Sequence, residues 1–282
     1  MHVAAVQLTW NKTIDQNVFD TLMYLERAKE KGCDAVLFPE ANLTSYDFEY
    51  IAQLDDAMIS DALKTVQQKC KALQINAIVG TISRKDKNGK RLNIAHVINR
   101  AGETSYEAAK FHLAGQEEKE NCRPGDKIAF FEIDGIKCGL AICRDGRSSE
   151  TFMLPAMAGA QIFFQPSNNR DPIESAWWKN ESGRATQPIG PRSFIYHVCA
   201  NGVGQGQDGK SLALGHSFIK DPTGLSIAAA GHYEEGMIHG VLDLSKASAR
   251  YIKDSMERPS YLKTKWQEMV DLMLMHKDDA VV

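Results

Sequence analysis

Two reactive side chains follow apolar segments at points where the chain becomes polar. Glu40 comes directly after the segment Asp34–Pro39. Cys143 comes directly after the segment Lys137–Ile142. In open α/β sheets, ligands bind beyond the carboxyl ends of the strands, so both side chains are candidates for a site. A cysteine thiolate can act as a nucleophile, and a carboxylate can act as a general base.

The sequence around Cys143 is basic, because Arg144 and Arg147 lie within four residues of it. Nearby guanidinium groups favour the thiolate form of a cysteine. The alternative is a buried, inert thiol, and the sequence leaves both interpretations open for Cys143. It favours the inert form for the other five cysteines, which show no CxxC pair: Cys33, Cys70, Cys122, Cys138 and Cys199.

Two further residues could assist a cysteine nucleophile. Lys110 ends the segment Ser105–Lys110. A lone lysine is usually a solvated surface group, but in a site it would be a fixed cation that stabilises an oxyanion. His112 is the best histidine candidate for a base that serves Cys143. The eight histidines are scattered and form no HExxH motif, so we expect no metal site.

A glycine-rich segment, Gly204–Ser211, formally matches the phosphate-loop pattern GxxxxGK[ST]. That motif requires a helix directly after it, whose N-terminus holds the phosphate. The next residues, Leu212–Lys220, are typical of a loop followed by a strand. We therefore interpret the segment as a turn between strands and expect no nucleotide site.

The elements that must position these side chains alternate between strands and helices, and the order strand-helix-strand-helix-strand-strand occurs twice. The elements predicted in the first half are Val3–Leu8, Thr13–Lys31, Asp34–Phe38, Asp55–Gln74, Ile75–Ser83 and Leu92–Arg100. Those predicted in the second half are Lys137–Ile142, Glu150–Ala160, Gln161–Gln165, Ala176–Ala185, Tyr196–Val203, Gly215–Asp221 and Ile238–Leu244. Pro155 must lie in the first turn of its helix or kink it. This order predicts an α/β fold of mixed sheets covered by helices.

Length and composition exclude several classes of protein. The chain has 282 residues, of which 43% are hydrophobic and 24% charged, close to the globular average. A net charge of −3 without a basic block argues against nucleic-acid binding. No apolar run approaches the ~20 residues that span a bilayer, and we identify no signal peptide. The cysteines form no regular framework, so we expect reduced thiols and a cytoplasmic location.

Glu40, Lys110 and Cys143, in that order, resemble the catalytic triad of the nitrilase superfamily of carbon–nitrogen hydrolases. Five motifs in order, between Val3 and about Leu244, carry the resemblance. They are Val3–Leu8, Leu37–Glu40 with Tyr46, Lys110–Leu113 running on to Arg123–Asp126, Gly139–Asp145, and Cys199–Asn201 with Gly215–Gly224.

The resemblance implies a four-layer α-β-β-α sandwich and acyl transfer through a thioester, without a cofactor. Glu40 would take the proton of Cys143, and the thiolate would attack an amide or nitrile carbon. Lys110 and the backbone N–H of Arg144 would hold the oxyanion. Many amidases of the family carry a second glutamate, and Glu118 is at the matching position.

The resemblance also implies contacts to the substrate from Tyr46, Arg144, Arg147 and Asn168. Arg147 matches a position at which some carbamoylases bind a substrate carboxylate; the alternative is a structural salt bridge. The aromatic residue that often follows the family's cysteine is absent. The segment from Arg192 to Tyr196 also lacks the family's usual glutamate. These departures concern the substrate more than the mechanism.

We therefore expect a hydrolase that releases ammonia from a small linear amide or N-carbamoyl compound with a polar far end. The alternatives are a nitrilase that acts on a nitrile and a catalytically silent scaffold subunit. The hydrolase domain would span residues 1–245, and the protein would form a homodimer or a larger homo-oligomer. The tail, residues 246–282, would pack on a partner subunit or fold on its own subunit.

Overall fold

The strands of the protein form two mixed sheets. A computed structural model describes residues 1–181, 193–206, 209–248, 250 and 259–275. The strands are β1 (His2–Thr9), β2 (Ala35–Leu37), β3 (Asn76–Ile82), β4 (Asn93–Ile98), β5 (Thr104–Ala109), β6 (Ala129–Ile133), β7 (Ile136–Leu140), β8 (Ile162–Pro166), β9 (Arg170–Pro172), β10 (Tyr196–Ala200), β11 (Gly202–Gln205), β12 (Ser211–Leu214), β13 (Phe218–Lys220), β14 (Ser226–Ala229) and β15 (Gly236–Val241). The helices are α1 (Ile14–Glu30), α2 (Phe48–Ile51), α3 (Asp56–Leu73), α4 (Gly115–Asn121), α5 (Glu150–Met157), α6 (Ile173–Glu181) and α7 (Pro259–Met275).

The two sheets repeat one pattern of strand directions. In the first sheet, β15 is antiparallel to β1, the pairs β1–β2 and β2–β3 are parallel, and β3, β4 and β5 are antiparallel. In the second sheet, β6 is antiparallel to β7, the pairs β7–β8 and β8–β10 are parallel, and β10, β13 and β14 are antiparallel. The duplicated order of elements in the sequence therefore corresponds to two six-stranded units of the same pattern.

Side chains of alternate strand residues face opposite layers, as the pleat requires. Val3 of β1 and Ile162 of β8 belong to one apolar core between the sheets. Ala4 of β1 belongs to the core between the first sheet and the helices α1 and α3. Phe163 of β8 packs against Phe152 of α5 on the other side of the second sheet. The layers are helix, sheet, sheet and helix, so the predicted α-β-β-α sandwich is confirmed.

Local signals in the sequence set the ends of α1. The Thr13 side chain accepts a hydrogen bond from the backbone N–H of Gln16, and the Gln16 side chain accepts one from the N–H of Thr13. This capping box satisfies two N–H groups that have no partner within the helix. Gly32, with a φ of +74°, follows the helix end and allows the chain to turn into β2.

The structure corrects one prediction about the second half and adds detail to others. The predicted strand Tyr196–Val203 is divided, because the chain leaves the second sheet after β10 and enters the first sheet at β11, with Asn201 between them. Pro155 is the sixth residue of the eight-residue helix α5, which excludes the first turn, one of the two predicted alternatives, and leaves the other, a kink, as a prediction. The first sheet is also extended by β11, β12 and β9, of which β9 and β12 were not predicted. The end of the helix predicted over Ala176–Ala185, from residue 182 on, lies outside the described residues.

Several large apolar side chains are exposed on the described helices. Trp177 and Trp178 of α6 are 54% and 57% exposed, so neither side chain packs in the core. In the tail, α7 exposes Trp266, Met269 and Met275. No helix within the described ranges is both long and apolar enough to cross a membrane.

Candidate active site

Glu40 lies where β2 ends, in the middle of the first sheet. β2 pairs in parallel with β1 on one side and β3 on the other. Glu40 is only 3% exposed, and its backbone N–H donates to the carbonyl oxygen of Ser167 at 3.3 Å. The carboxylate is therefore held at the boundary between the two sheets, where residues of both halves meet.

Lys110 follows β5 and is completely buried. Its ammonium group donates to Glu40 Oε1 at 2.7 Å, to Glu118 Oε2 at 3.0 Å and to the Tyr46 hydroxyl oxygen at 3.3 Å. A buried charge must be paired and hydrogen-bonded, and Lys110 is paired with two carboxylates. The structure thus brings Glu40, Lys110, Glu118 and Tyr46 into one cluster.

Glu118 comes from the short helix α4 and is 1% exposed, whereas its neighbours Glu117 and Glu120 are exposed. Its Oε2 also accepts a hydrogen bond from the backbone N–H of Ala114. Among the three glutamates of this segment, Glu118 alone contacts Lys110 in the described part of the chain.

Sequence reasoning missed Asn93, which lies at the start of β4 and is 1% exposed. Its side-chain amide donates to Glu40 Oε1 at 2.7 Å and to Glu118 Oε1 at 2.9 Å. Its backbone carbonyl accepts from the N–H of Lys110 at 2.8 Å. Asn93 thus contacts three members of the cluster. No motif signals it, because one asparagine at a strand end is typical of a turn.

Cys143 lies just after β7, at the first residue of a 3₁₀ turn, Cys143–Arg147. Its φ is +49°, a left-handed conformation that is unusual for a residue with a side chain. The Gln165 side-chain amide donates to the carbonyl oxygen of Cys143 at 3.1 Å. The thiol donates to the side-chain oxygen of Asn169 at 3.3 Å. A strained backbone at a reactive residue that its surroundings hold in place is typical of active sites.

The charges of the cluster act on one another through a water-poor interior. Burial raises the pKa of Glu40, and the charge of Lys110 opposes that rise. Burial alone would lower the pKa of Lys110, but the negative charges around it hold the pKa well above its ordinary value. Burial and the charge of Glu40 raise the pKa of Cys143 to about 12. At neutral pH the resting nucleophile is therefore a thiol, and it needs a base to remove its proton.

Asp145 connects the lysine segment to the nucleophile turn. Its carboxylate accepts from the backbone N–H of His112 at 2.6 Å and from that of Phe111 at 3.3 Å. Burial raises the pKa of Asp145 to about 7. The His112 ring lies 3.4 Å from the Ser148 hydroxyl and 3.4 Å from Asp145. The described contacts of His112 thus do not include Cys143, and Glu40 is the better placed base.

A cavity opens beside Cys143. Its inner part has a volume of about 260 Å³, and an adjoining wider part of about 590 Å³ reaches Glu40 and Tyr46. The predicted residues Arg144, Arg147 and Asn168 line the inner part. These volumes suit a small molecule.

Asn168 has buried side-chain oxygen and nitrogen atoms without a hydrogen-bond partner in the described part of the chain. Gly202 makes room for it, because a Cβ at Gly202 would lie 2.4 Å from the Asn168 side-chain oxygen. Unpaired buried polar atoms are costly unless a ligand or water satisfies them. Asn168 is therefore suited to bind a polar group in the cavity.

The structure also places Arg170 at the cavity, which sequence reasoning missed. It lines both the inner and the wider part. The available signal was its position four residues after Pro166, beyond the carboxyl end of a strand.

The glycine-rich segment joins the antiparallel strands β11 and β12. A strand begins at Ser211, where a phosphate loop would begin a helix. The described residues of this segment fit its interpretation as a turn between strands, and residues 207 and 208 lie outside the described ranges. Among the residues that the structure describes, no group of three or more His, Cys, Asp or Glu side chains is placed to hold a metal ion.

Known proteins resemble the chain over most of its length. Omega-amidase NIT2 of Xenopus tropicalis is 27% identical over 251 residues, which cover 86% of this chain and 88% of that protein. N-carbamoylputrescine amidase of Solanum lycopersicum is 25% identical and covers 88% of each chain. A solved structure of an amidase mutant from Nesterenkonia sp. AN1, with acrylamide added at its active-site cysteine, has a TM-score of 0.77 at 22% identity. It covers 94% of this chain and 99% of the amidase.

A family model described as carbon-nitrogen hydrolase matches residues 2–251, which include Glu40, Lys110, Glu118 and Cys143. The match spans both six-stranded units and every residue that lines the cavity. The chain belongs to the carbon–nitrogen hydrolase family.

Proposed function

We propose that the protein hydrolyses the C–N bond of a small linear amide or N-carbamoyl compound through a cysteine thioester, and releases ammonia. The observation that carries this proposal is the hydrogen bonding of Glu40. Oε1 of its carboxylate accepts from Lys110 and Asn93, whereas the buried Oε2 has no partner in the described part of the chain. Glu40 is also close enough to raise the pKa of Cys143, so a free base oxygen faces a protonated nucleophile.

The first half of the reaction forms the thioester. Oε2 of Glu40 takes the thiol proton while the sulfur of Cys143 bonds to the carbonyl carbon of the substrate. The carbonyl oxygen becomes an oxyanion, which Lys110 and the backbone N–H of Arg144 stabilise. The C–N bond then breaks, and the proton held by Glu40 passes to the nitrogen, which leaves as ammonia.

The second half releases the product. Glu40, again unprotonated, takes a proton from a water molecule, whose oxygen attacks the thioester carbon. The C–S bond breaks, and the proton returns to the sulfur of Cys143. The product is a carboxylic acid, or a carbamic acid from a carbamoyl substrate. Every proton thus moves through one carboxylate, which explains why one oxygen of Glu40 must remain free.

The remaining cavity residues are proposed to position the substrate. Tyr46 contacts Lys110, and Arg144, Arg147 and Asn168 line the space beside Cys143. Relatives named as an omega-amidase and an N-carbamoylputrescine amidase support amide and carbamoyl compounds as the substrate class. The same thiolate could attack a nitrile carbon, and complete hydrolysis of a nitrile yields the same acid and ammonia as hydrolysis of the amide. Turnover of nitriles compared with turnover of amides therefore distinguishes the two activities.

The test measures ammonia release from a panel of small amides, carbamoyl amines, carbamoyl amino acids and nitriles. The wild type should release ammonia, and Cys143→Ala should abolish the release. Cys33→Ala is the matched control, because Cys33 is a buried thiol outside the cluster, and it should keep the activity. Release that persists in Cys143→Ala would contradict the mechanism, and no release from any compound would support a silent scaffold subunit.

We also propose that the protein acts in the cytoplasm as a homodimer or a larger homo-oligomer. Six free cysteines are typical of a reducing compartment. Exposed apolar side chains on α6 and α7 support association, because large apolar patches usually mark interaction sites. Sedimentation of the full chain measures its mass in solution, and a monomer would contradict the oligomer.

A further inference from the structure

Arg170 is held in place at the wall of the cavity. Its backbone belongs to β9, which pairs with β12 through Arg170 and Ala213. Its guanidinium carbon lies 4.2 Å from the ring centre of Trp10 and 4.7 Å from that of Tyr46. Cation–π contacts to two rings restrict the plane of a guanidinium group, and Arg is the side chain best suited to such stacking. Arg170 is therefore a fixed cation.

The cavity leaves this cation without a carboxylate partner. Among the residues that the structure describes, no carboxylate forms an ion pair with Arg170. Burial raises the pKa of Glu117, an exposed residue, and the positive charge of Arg170 opposes that rise. Asp171 and Glu174 also line the cavity, Glu174 only in its wider part. In the inner part, three of the four charged lining side chains are guanidinium groups.

Tyr46 connects Arg170 to the reacting centre. Its hydroxyl oxygen lies 3.3 Å from Lys110 Nζ, and that ammonium lies 5.5 Å from the same ring centre that Arg170 contacts. The distances of the two cations from this ring limit their separation to about 10 Å. Lys110 is placed to stabilise the developing oxyanion. Arg170 lies at a distance from Lys110 that a short linear substrate can span.

We infer that Arg170 binds a carboxylate at the non-reacting end of the substrate, so that the preferred substrates are linear amides that end in a carboxylate. A guanidinium group binds a carboxylate through two parallel N–H···O bonds, which orients as well as attracts it. This inference rests on the proposed amidase function and narrows the class of its substrates. It favours acidic amides over neutral amides and over carbamoyl amines that end in an ammonium group.

The experiment compares two amides of equal length, glutaramate and valeramide, which differ in the terminal carboxylate. In Arg170→Gln, kcat/KM for glutaramate should fall at least about tenfold through a higher KM, because a charged partner of the carboxylate is lost. The value for valeramide should stay within about twofold, because the neutral chain makes no ion pair. Arg170→Lys should fall between Arg170→Gln and the wild type, since it keeps the charge without the planar fork.

Two further variants separate this cation from other positive charges. Arg84→Gln changes the net charge equally on an exposed segment away from Cys143, and it should affect neither amide. Arg147→Gln tests the other candidate for the carboxylate, and a larger loss there than in Arg170→Gln would overturn the assignment to Arg170.

The outcomes separate this inference from the proposed function. Equal losses of kcat/KM for both amides in Arg170→Gln would overturn the inference. They would mean that Arg170 acts by holding Tyr46 in place. A wild type that hydrolyses valeramide but not glutaramate would overturn the inference and leave the amidase function intact. A wild type that hydrolyses neither amide, nor any other amide of the panel, would overturn the proposed function.

Discussion

β2 and β8 occupy equivalent positions in the two sheets, each third in its six-stranded unit, and a proline ends both segments: Pro39 in the first and Pro166 in the second. The residues after the prolines are Glu40 and Ser167, and they meet directly, because the N–H of Glu40 donates to the carbonyl oxygen of Ser167. One half therefore presents a carboxylate where the other presents a small hydroxyl group.

For the equivalent strands β1 and β7, the reactive residue belongs to the second half, not to the first. Alignment by the prolines and by strand register makes Ala5 equivalent to Leu140, and therefore Leu8 equivalent to Cys143. β1 continues to Thr9, so Leu8 is an ordinary buried strand residue. β7 ends at Leu140, and the chain turns sharply at Cys143. Each half thus supplies one reactive group, and its equivalent in the other half is structural.

The comparison shows that the backbone topology brings equivalent positions of the two halves together, whereas the side chain at each position decides whether it is reactive. A base and a nucleophile must lie within reach of each other, and two sheets of the same pattern bring their strand ends together at one boundary. The asymmetry lies in the side chains and in the extension β11, β12 and β9, which comes from the second half and carries Arg170. Four predictions test the comparison, in order of decreasing effect.

The largest expected effect comes from the exchange of Glu40→Gln. We expect kcat/KM to fall about 10²–10⁴-fold, because general-base catalysis is lost. The pKa of Cys143 should fall as well, because the negative charge of Glu40 raises it, whereas the positive charge of Lys110, which remains, lowers it. Steady-state ammonia release measures the first effect, and the pH dependence of alkylation by iodoacetamide measures the second.

Ser167→Ala is the matched control for Glu40→Gln, since Ser167 holds the equivalent position in the second sheet. It should leave kcat/KM nearly unchanged and leave the thiol pKa in place. A comparable loss in both variants would mean that this position acts through packing of the two halves, not through the carboxylate.

A smaller effect is expected for Asn93→Ala, because Asn93 positions Glu40 without touching the thiol. Its hydrogen bond stabilises the ionised form of Glu40 and so lowers the pKa of that carboxyl. Its loss should raise the pKa of Glu40 and move the acidic limb of the kcat/KM profile to higher pH. The plateau should fall about 10–100-fold, since the free oxygen of Glu40 is no longer oriented.

Asn17→Ala is the control for Asn93→Ala. Asn17 is also a buried asparagine, and its side chain donates to the carbonyl oxygens of Lys12 and Leu43 outside the cluster. It should lower the melting temperature without moving the acidic limb. If Asn93→Ala lowers the plateau and leaves the limb in place, Asn93 is only a structural residue.

The third prediction concerns packing behind the nucleophile. Gly139 of β7 is equivalent to Ala4 of β1, but an added Cβ at Gly139 would lie 2.9 Å from Pro155 and 3.2 Å from the Phe163 ring. Gly139→Ala should therefore destabilise the protein by about 1–3 kcal/mol, as overpacking does. Chemical denaturation measures the loss, and Ala4→Gly provides the reverse exchange. Unchanged stability in Gly139→Ala would show that α5 moves to accept the methyl group.

The smallest effect on catalysis is expected from removal of the tail, which has no equivalent in the first half. A chain that ends at Ser248 should keep kcat/KM near the wild-type value, because every described cluster contact lies before it. The apolar side chains on α7 are exposed, so we expect their removal to give a smaller oligomer, measured by gel filtration. An unchanged oligomer would show that the tail does not pack on a partner.

Much of the fold could be predicted from local patterns. The alternation of apolar runs and amphipathic segments predicted the main strands and helices and their repeat, because these patterns follow the periods of strand and helix. The short elements β9, β12 and α4 were missed, because three to seven residues give too little periodic signal. The division of the strand at Asn201 was missed for another reason. Both segments are apolar, and only packing decides which sheet each one joins.

The sequence by itself determined that Glu40, Lys110 and Cys143 occur in an order and in motifs that resemble one family, and that each reactive residue follows a strand. Only the tertiary structure decided which oxygen of Glu40 is free and that Asn93 bridges two carboxylates. It also decided that Arg170 contacts the rings of Trp10 and Tyr46 and lines the cavity. The physical reason is separation along the chain. Asn93 and Glu40 lie 53 residues apart, and Lys110 and Glu40 lie 70 apart, so their contacts depend on packing that no local pattern records.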